Sequence, residues 1–101
     1  MAMNLFCYSS KSPSALQEIV DFIVNQHKEI FEKRFLVSSV RVANSVHKEI
    51  ALDYGFHANS FFLVNYNDKS GFIPSSTVVD LIKKSIGIND VLVLFENEEL
   101  K

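Results

Sequence analysis

The chain reads as one α/β domain, residues 1–101, with a mainly parallel central sheet and helices packed on it. Three observations predict this. Strand-like apolar runs alternate with helical patterns in the order β-α-β-α-β-(β)-α-β, as crossover units do. The runs at 5–8 and 61–64 are apolar at every position, which fits strands covered on both faces. Three Gly and two Pro in 101 residues are too few for a turn-rich β-sandwich or a disordered chain.

Each element has its own signal. Asn4 to Ser9 is the first strand. A serine-rich loop follows, and Ser12 suits a helix N-cap with Pro13 at the first helical position, where its missing N–H costs nothing. Ser14 with Gln17 offers a competing capping box. The helix carries one apolar stripe, Leu16, Ile19, Val20, Ile23, Val24, His27, Ile30 and Phe31, and should end near Arg34. Val37 to Ala43 is the second strand, with Val40 and Val42 on one side and Ser39, Arg41 and Ala43 on the other. Asn44 or Ser45 caps a second helix whose inner face is Val46, Ile50, Ala51 and Tyr54. Gly55 stands where a left-handed C-cap is expected.

Phe61 to Val64 is a central strand. Asn67 to Gly71 forms a turn. Phe72-Ile73 is a short edge strand stopped by Pro74. Ser75 or Ser76 caps a third helix with Val78, Leu81, Ile82 and Ile86 inside, and Lys83 and Lys84 suit its last turn. Gly87 ends it. Asn89-Asp90 turns into the last strand, Val91 to Phe95, and a charged tail follows.

Composition limits function. The formal charge of −2 implies no basic face, so no nucleic-acid partner is expected. No apolar run approaches the ~18–20 residues of a membrane span, and no signal peptide is expected. The single Cys can neither close an internal disulfide nor build a cysteine zinc site. It suits a reducing, cytoplasmic setting. No metal or other cofactor is expected, because no three or four ligands converge in the pattern. The acidic residues are spread over caps and turns, which gives paired acid–base catalysis no support.

Two family resemblances meet in the opening stretch. Phe6-Cys7-Tyr8-Ser9-Ser10-Lys11-Ser12-Pro13-Ser14-Ala15 is similar to the strand-to-helix segment of thioredoxins. Ile50 to Phe56, with its Tyr54-Gly55 pair, resembles that family's second helix, and Phe61 to Gly71 its central hairpin. The resemblance implies a thioredoxin-like fold. Lys11 and Ser14 stand where the family has its redox cysteines, and Ser60 where it has its cis-proline. Disulfide exchange needs an attacking thiolate and a resolving thiol, so the resemblance implies a redox-inactive member. Such members, including clock proteins of the KaiB type, act as interaction modules.

The second resemblance is to cytosolic IIB-type phosphocysteine domains of the sugar phosphotransferase system. Leu5-Phe6-Cys7, followed by Ser12 and Ser14, has similar spacing. It implies a phosphoryl-carrying or anion-binding domain that uses Cys7, although the loop has no Gly to bring backbone N–H groups to a phosphate. A ferredoxin-like α+β domain, with the second helix misread, is a third arrangement.

Cys7 therefore has two readings, a nucleophile at a helix N-terminus or a small buried hydrophobe. The loop serines could line an anion site or serve only as caps and turns. The expectation is a non-catalytic, redox-inactive protein-interaction module whose partner is another protein. Its contact surface would be Ser9, Ser10, Lys11, Ser12, Pro13 and Ser14, with the nearby Asn59 and Ser60.

Overall fold

The computed structural model describes residues 3–31, 35–66 and 75–95. Strand β1 runs over Met3–Ser9. Helix α1, Pro13–Gln26, follows, and a single turn, α2, covers Lys28–Phe31. Two short strands, β2 (Phe35–Val37) and β3 (Arg41–Val42), precede helix α3, Ser45–Leu52. Strand β4 (Ser60–Tyr66), helix α4 (Ser75–Ile86) and strand β5 (Val91–Phe95) complete the order.

The sheet is antiparallel, not mainly parallel. Its order is β2-β4-β1-β5, with β3 also paired to β4, and every pairing is antiparallel. This overturns the thioredoxin-like expectation. β1 and β2 run in the same direction but have β4 between them. β4 and β5 likewise share a direction and have β1 between them. Two β-α-β units are thus interleaved, which is the split arrangement of ferredoxin-like domains. The continuous apolar runs did report burial on both faces. Here that burial comes from helices on both sides of an antiparallel sheet.

Alternation along the strands sorts the core into two layers. Leu5, Cys7, Phe62, Val64, Val91 and Val93 face one side, where Leu16, Val20 and Ile23 of α1 and Val78, Ile82 and Ile86 of α4 cover them. Tyr8, Phe61, Leu92 and Leu94 face the other, where Ala51 of α3 packs with Ala43 and Ala58. α3 is only two turns long and covers part of that face. Of its expected inner residues, Ala51 is buried and Ile50 packs on the core, but Val46 and Tyr54 are exposed.

Two local features differ from the sequence pattern. The first helix does not continue to Arg34: His27 leaves helical geometry (φ −130°, ψ 48°) and α2 restarts the turn. Phe31 still reaches the core. The expected strand from Val37 to Ala43 is broken by a bulge. Val37 pairs with Val64, and Arg41 with Phe61, so three residues face two. The Ser38 N–H donates to the Leu63 carbonyl, and the Ser38 hydroxyl, not its carbonyl, accepts the Leu63 N–H at 2.9 Å. The Val40 N–H is taken by the Gln17 side-chain carbonyl at 2.8 Å. The extra residue turns Val40 toward the core and leaves Val42 exposed.

The helix signals are mostly where the residues placed them. The Ser12 hydroxyl accepts the Ala15 N–H, with Pro13 opening α1. Asn44 caps α3, and the third residue of the box is His47, whose Nδ1 accepts the Asn44 N–H. Gly55 is left-handed (φ 73°) and donates to the Leu52 carbonyl. Ser75 and Ser76 lie inside α4, not before it. The expected turn at Asn67–Gly71, the edge strand at Phe72-Ile73 and the charged tail lie outside the described residues.

Candidate functional site

The serine-rich loop lies at one end of the sheet, where β1 ends and β4 and β5 begin. The structure brings all of the expected contact residues to this end and adds Asp90. On one side the Asn59 N–H donates to the Ser9 carbonyl at 2.8 Å, the Asn59 side-chain amide to the Ser10 carbonyl at 2.7 Å, and the Ser60 hydroxyl to the Lys11 carbonyl at 2.7 Å. On the other side Asp90 holds the loop. Its backbone carbonyl accepts from the Ser9 hydroxyl at 2.8 Å and from the Ser10 N–H at 3.2 Å. Its carboxylate takes a long hydrogen bond from the Ser10 hydroxyl (3.5 Å) and stands 3.8 Å from the Lys11 ammonium.

These contacts divide the loop into a frame and a surface. Ser9 and Ser60 are fully buried, and their hydroxyls satisfy backbone groups that water cannot reach. Ser12, Ser14 and Asn59 are exposed, and Ser10, Lys11 and Pro13 are half-buried. Asp90 sits in a turn that depends on Gly87, whose φ is 117°. A Cβ there would lie 2.9 Å from an Asp90 carboxylate oxygen. The residue pattern marks Asn89-Asp90 as a turn alone. The contact spans about eighty residues, so no local pattern carries it.

A phosphate site does not form here. Cys7 sits inside β1, paired with Phe62 and Val93, and is fully buried. Burial pushes its thiol far above the ordinary range, so it stays protonated at neutral pH. Asp90 places a carboxylate beside Lys11, which offsets the charge an anion would need. Among the described residues no three His, Cys, Asp or Glu side chains gather as a metal site. His47 is structural: besides its cap contact, its ring lies 4.1 Å from that of Phe61.

The remaining surface shows where a partner could dock. Large exposed apolar side chains are Phe22 on α1, Leu36 on β2, Val42, Val46, Leu52 and Tyr54 around α3, and Ile88 in the last turn. A groove of about 350 Å³ runs between α1 and the bulge, with Val20, Val24 and Val37 among its lining and Asp21, Asn25 and Ser39 beside them. The groove is open to solvent and does not enclose a small-molecule cavity.

Comparison with known proteins agrees on one family and overturns both resemblances drawn from the opening stretch. A family model described as "CDI System Immunity Component" matches residues 1–99. The chain is 40% identical over 102 residues to "Immunity protein CdiI-2" of Burkholderia pseudomallei (strain 1026b), covering 97% of each chain. It superposes with a TM-score of 0.91 and 37% identity on a chain of the "CdiA-CT/CdiI toxin and immunity complex from Burkholderia pseudomallei". That match covers 97% of this chain and 95% of the other. Neither a thioredoxin nor a IIB phosphocysteine domain is supported, and the carrier role for Cys7 that the latter implied falls with it.

Proposed function

We propose that this chain, which belongs to the CDI System Immunity Component family, neutralises a CdiA-CT toxin by binding it. The observation that carries the reading is the superposition at a TM-score of 0.91 on a chain from a toxin and immunity complex. The family agrees with the expected protein partner. Function then rests on shape and surface chemistry: the chain need only cover the toxin. A stable complex needs roughly 800 Å² of contact on each partner, a modest share of the 5944 Å² this chain exposes.

The loop end of the sheet is our candidate for part of that contact. Ser10, Lys11, Ser12, Pro13, Ser14 and Asn59 present donors and acceptors on a backbone already fixed by Ser9, Ser60 and Asp90. Little ordering entropy remains to be lost when such a surface is covered. We place the chain in the cytoplasm. Recovery of the chain from another cell fraction would remove that assignment.

The test is direct. The chain is mixed with the CdiA-CT toxin domain of the strain that encodes it, and binding is followed by titration calorimetry. A saturable 1:1 complex and protection of toxin-expressing cells are expected. A folded chain that neither binds nor protects would overturn the reading.

A further inference from the structure

We propose that the outer ridge of α1, with Phe22 as anchor and Glu18 and Asp21 beside it, docks a basic face of the toxin. The inference rests on the toxin-binding reading and deepens it by naming a surface and the chemistry it requires.

Three observations converge on this ridge. Phe22 is 63% exposed in the middle of a regular three-to-four-turn helix, although the rest of the helix buries its apolar stripe. Aromatic side chains are enriched in interfaces and supply contact area at low entropy cost. Helical spacing places Glu18 one turn before Phe22 and Asn25 nearly one turn after it, on the same side. Second, α1 carries charge of one sign only. Glu18 and Asp21 are its sole charged residues, and neither makes an ion pair among the described residues. The other helices are mixed: α3 holds Lys48 and Glu49, and α4 holds Asp80, Lys83 and Lys84.

Third, Asp21 is held in place. The Val40 N–H donates to the Gln17 side-chain carbonyl at 2.8 Å, and the Gln17 amide donates to the Asp21 carboxylate at 2.9 Å. The relay links a surface carboxylate to the bulged edge of the sheet and favours one position for it before a partner arrives. The ridge borders the groove along the bulge and is continuous, through Ser14, with the loop end of the sheet. A cationic partner surface with an apolar recess for Phe22 is the complement to this arrangement. Like-charged or neutral faces would leave the two carboxylates desolvated without compensation.

The test measures binding of the same CdiA-CT toxin domain to the full chain and its variants across a salt series. Phe22→Ala should weaken binding about thirtyfold, mainly through faster dissociation. The double variant Glu18→Lys with Asp21→Lys should slow association about tenfold and flatten its salt dependence. Ser85→Ala, at an exposed position on α4, should leave both rates within about twofold of wild type. If the wild type binds and both α1 variants bind equally well, the ridge is not the docking face, while toxin binding itself stands. A folded wild type that does not bind at all removes both. Self-association of the chain that Phe22→Ala abolishes would assign the ridge to a second copy and overturn the proposal.

Discussion

The hydroxyl of Ser9, at the end of the first strand, donates to the backbone carbonyl of Asp90, just before the last strand, at 2.8 Å. The same oxygen accepts the Lys11 N–H at 3.1 Å. One buried side chain thus closes the loop and pins it to a segment distant in sequence. Ser9→Ala would leave the Lys11 N–H without its acceptor and the Asp90 carbonyl with only the Ser10 N–H. We expect a loss of about 1–3 kcal/mol, measured by urea denaturation. A midpoint unchanged from wild type would show that water replaces both contacts.

The Lys11–Asp90 ion pair should matter far less. Its side chains are 32% and 48% exposed and the charges are 3.8 Å apart. Solvent screens such a pair, and Lys11→Ala should cost no more than about 1 kcal/mol. A loss as large as that of Ser9→Ala would contradict this ranking.

Gly87→Ala should destabilise by about 1–2 kcal/mol on conformational grounds alone. The position is left-handed, and the new Cβ would press on Asp90. Thermal melting of the variant checks this, and a melting temperature at or above wild type would refute it.

Ile23 and Val64 face the same core layer, one from α1 and the other from the central strand. Ile23→Ala or Val64→Ala should each cost on the order of 2–4 kcal/mol by leaving a cavity. Denaturant midpoints like that of wild type in both would contradict the packing described.

Cys7 gives a pH prediction. Its thiol is raised from an ordinary 9.0 by burial, so above that value the unfolded chain holds fewer protons than the folded one. Stability is therefore complete below pH 9 and falls as pH rises beyond it, by up to about 1.4 kcal/mol per unit from this group. Other groups titrate in the same range, so the measurement is the difference in slope between wild type and Cys7→Ala. Equal slopes would mean that the thiol ionises in the folded state. Native labelling by a thiol reagent should likewise be slow and become fast on unfolding.

Much of the local structure was legible in the residues. Ser12-Pro13 and Asn44 announced their helices, and the stripes from Leu16 to Ile23 and from Val78 to Ile86 identified buried faces. Strand direction was not legible. A run such as Leu5-Phe6-Cys7-Tyr8 reports that both faces are covered, and an antiparallel sheet between helices covers them as well as a parallel one. The bulge was hidden for a related reason: Ser38 and Gln17 are unremarkable until Leu63 and Val40 are placed beside them. At the loop end, the segment from Ser9 to Ser14 stood out because it is local. Asp90 did not, because its partners lie at the other end of the chain. Phe22 carried no signal of its own, since an exposed aromatic on a helix looks like any other off-stripe residue until burial is known.

The interleaving of the two β-α-β units has a consequence for how the chain comes into being. β1 is made first, yet both of its neighbours, β4 and β5, are made late, and its pairing with β5 runs to Phe95. A fragment that lacks β4 or β5 leaves one edge of β1 unpaired, so the sheet closes only when both distant strands are present. Pairings this distant also close slowly.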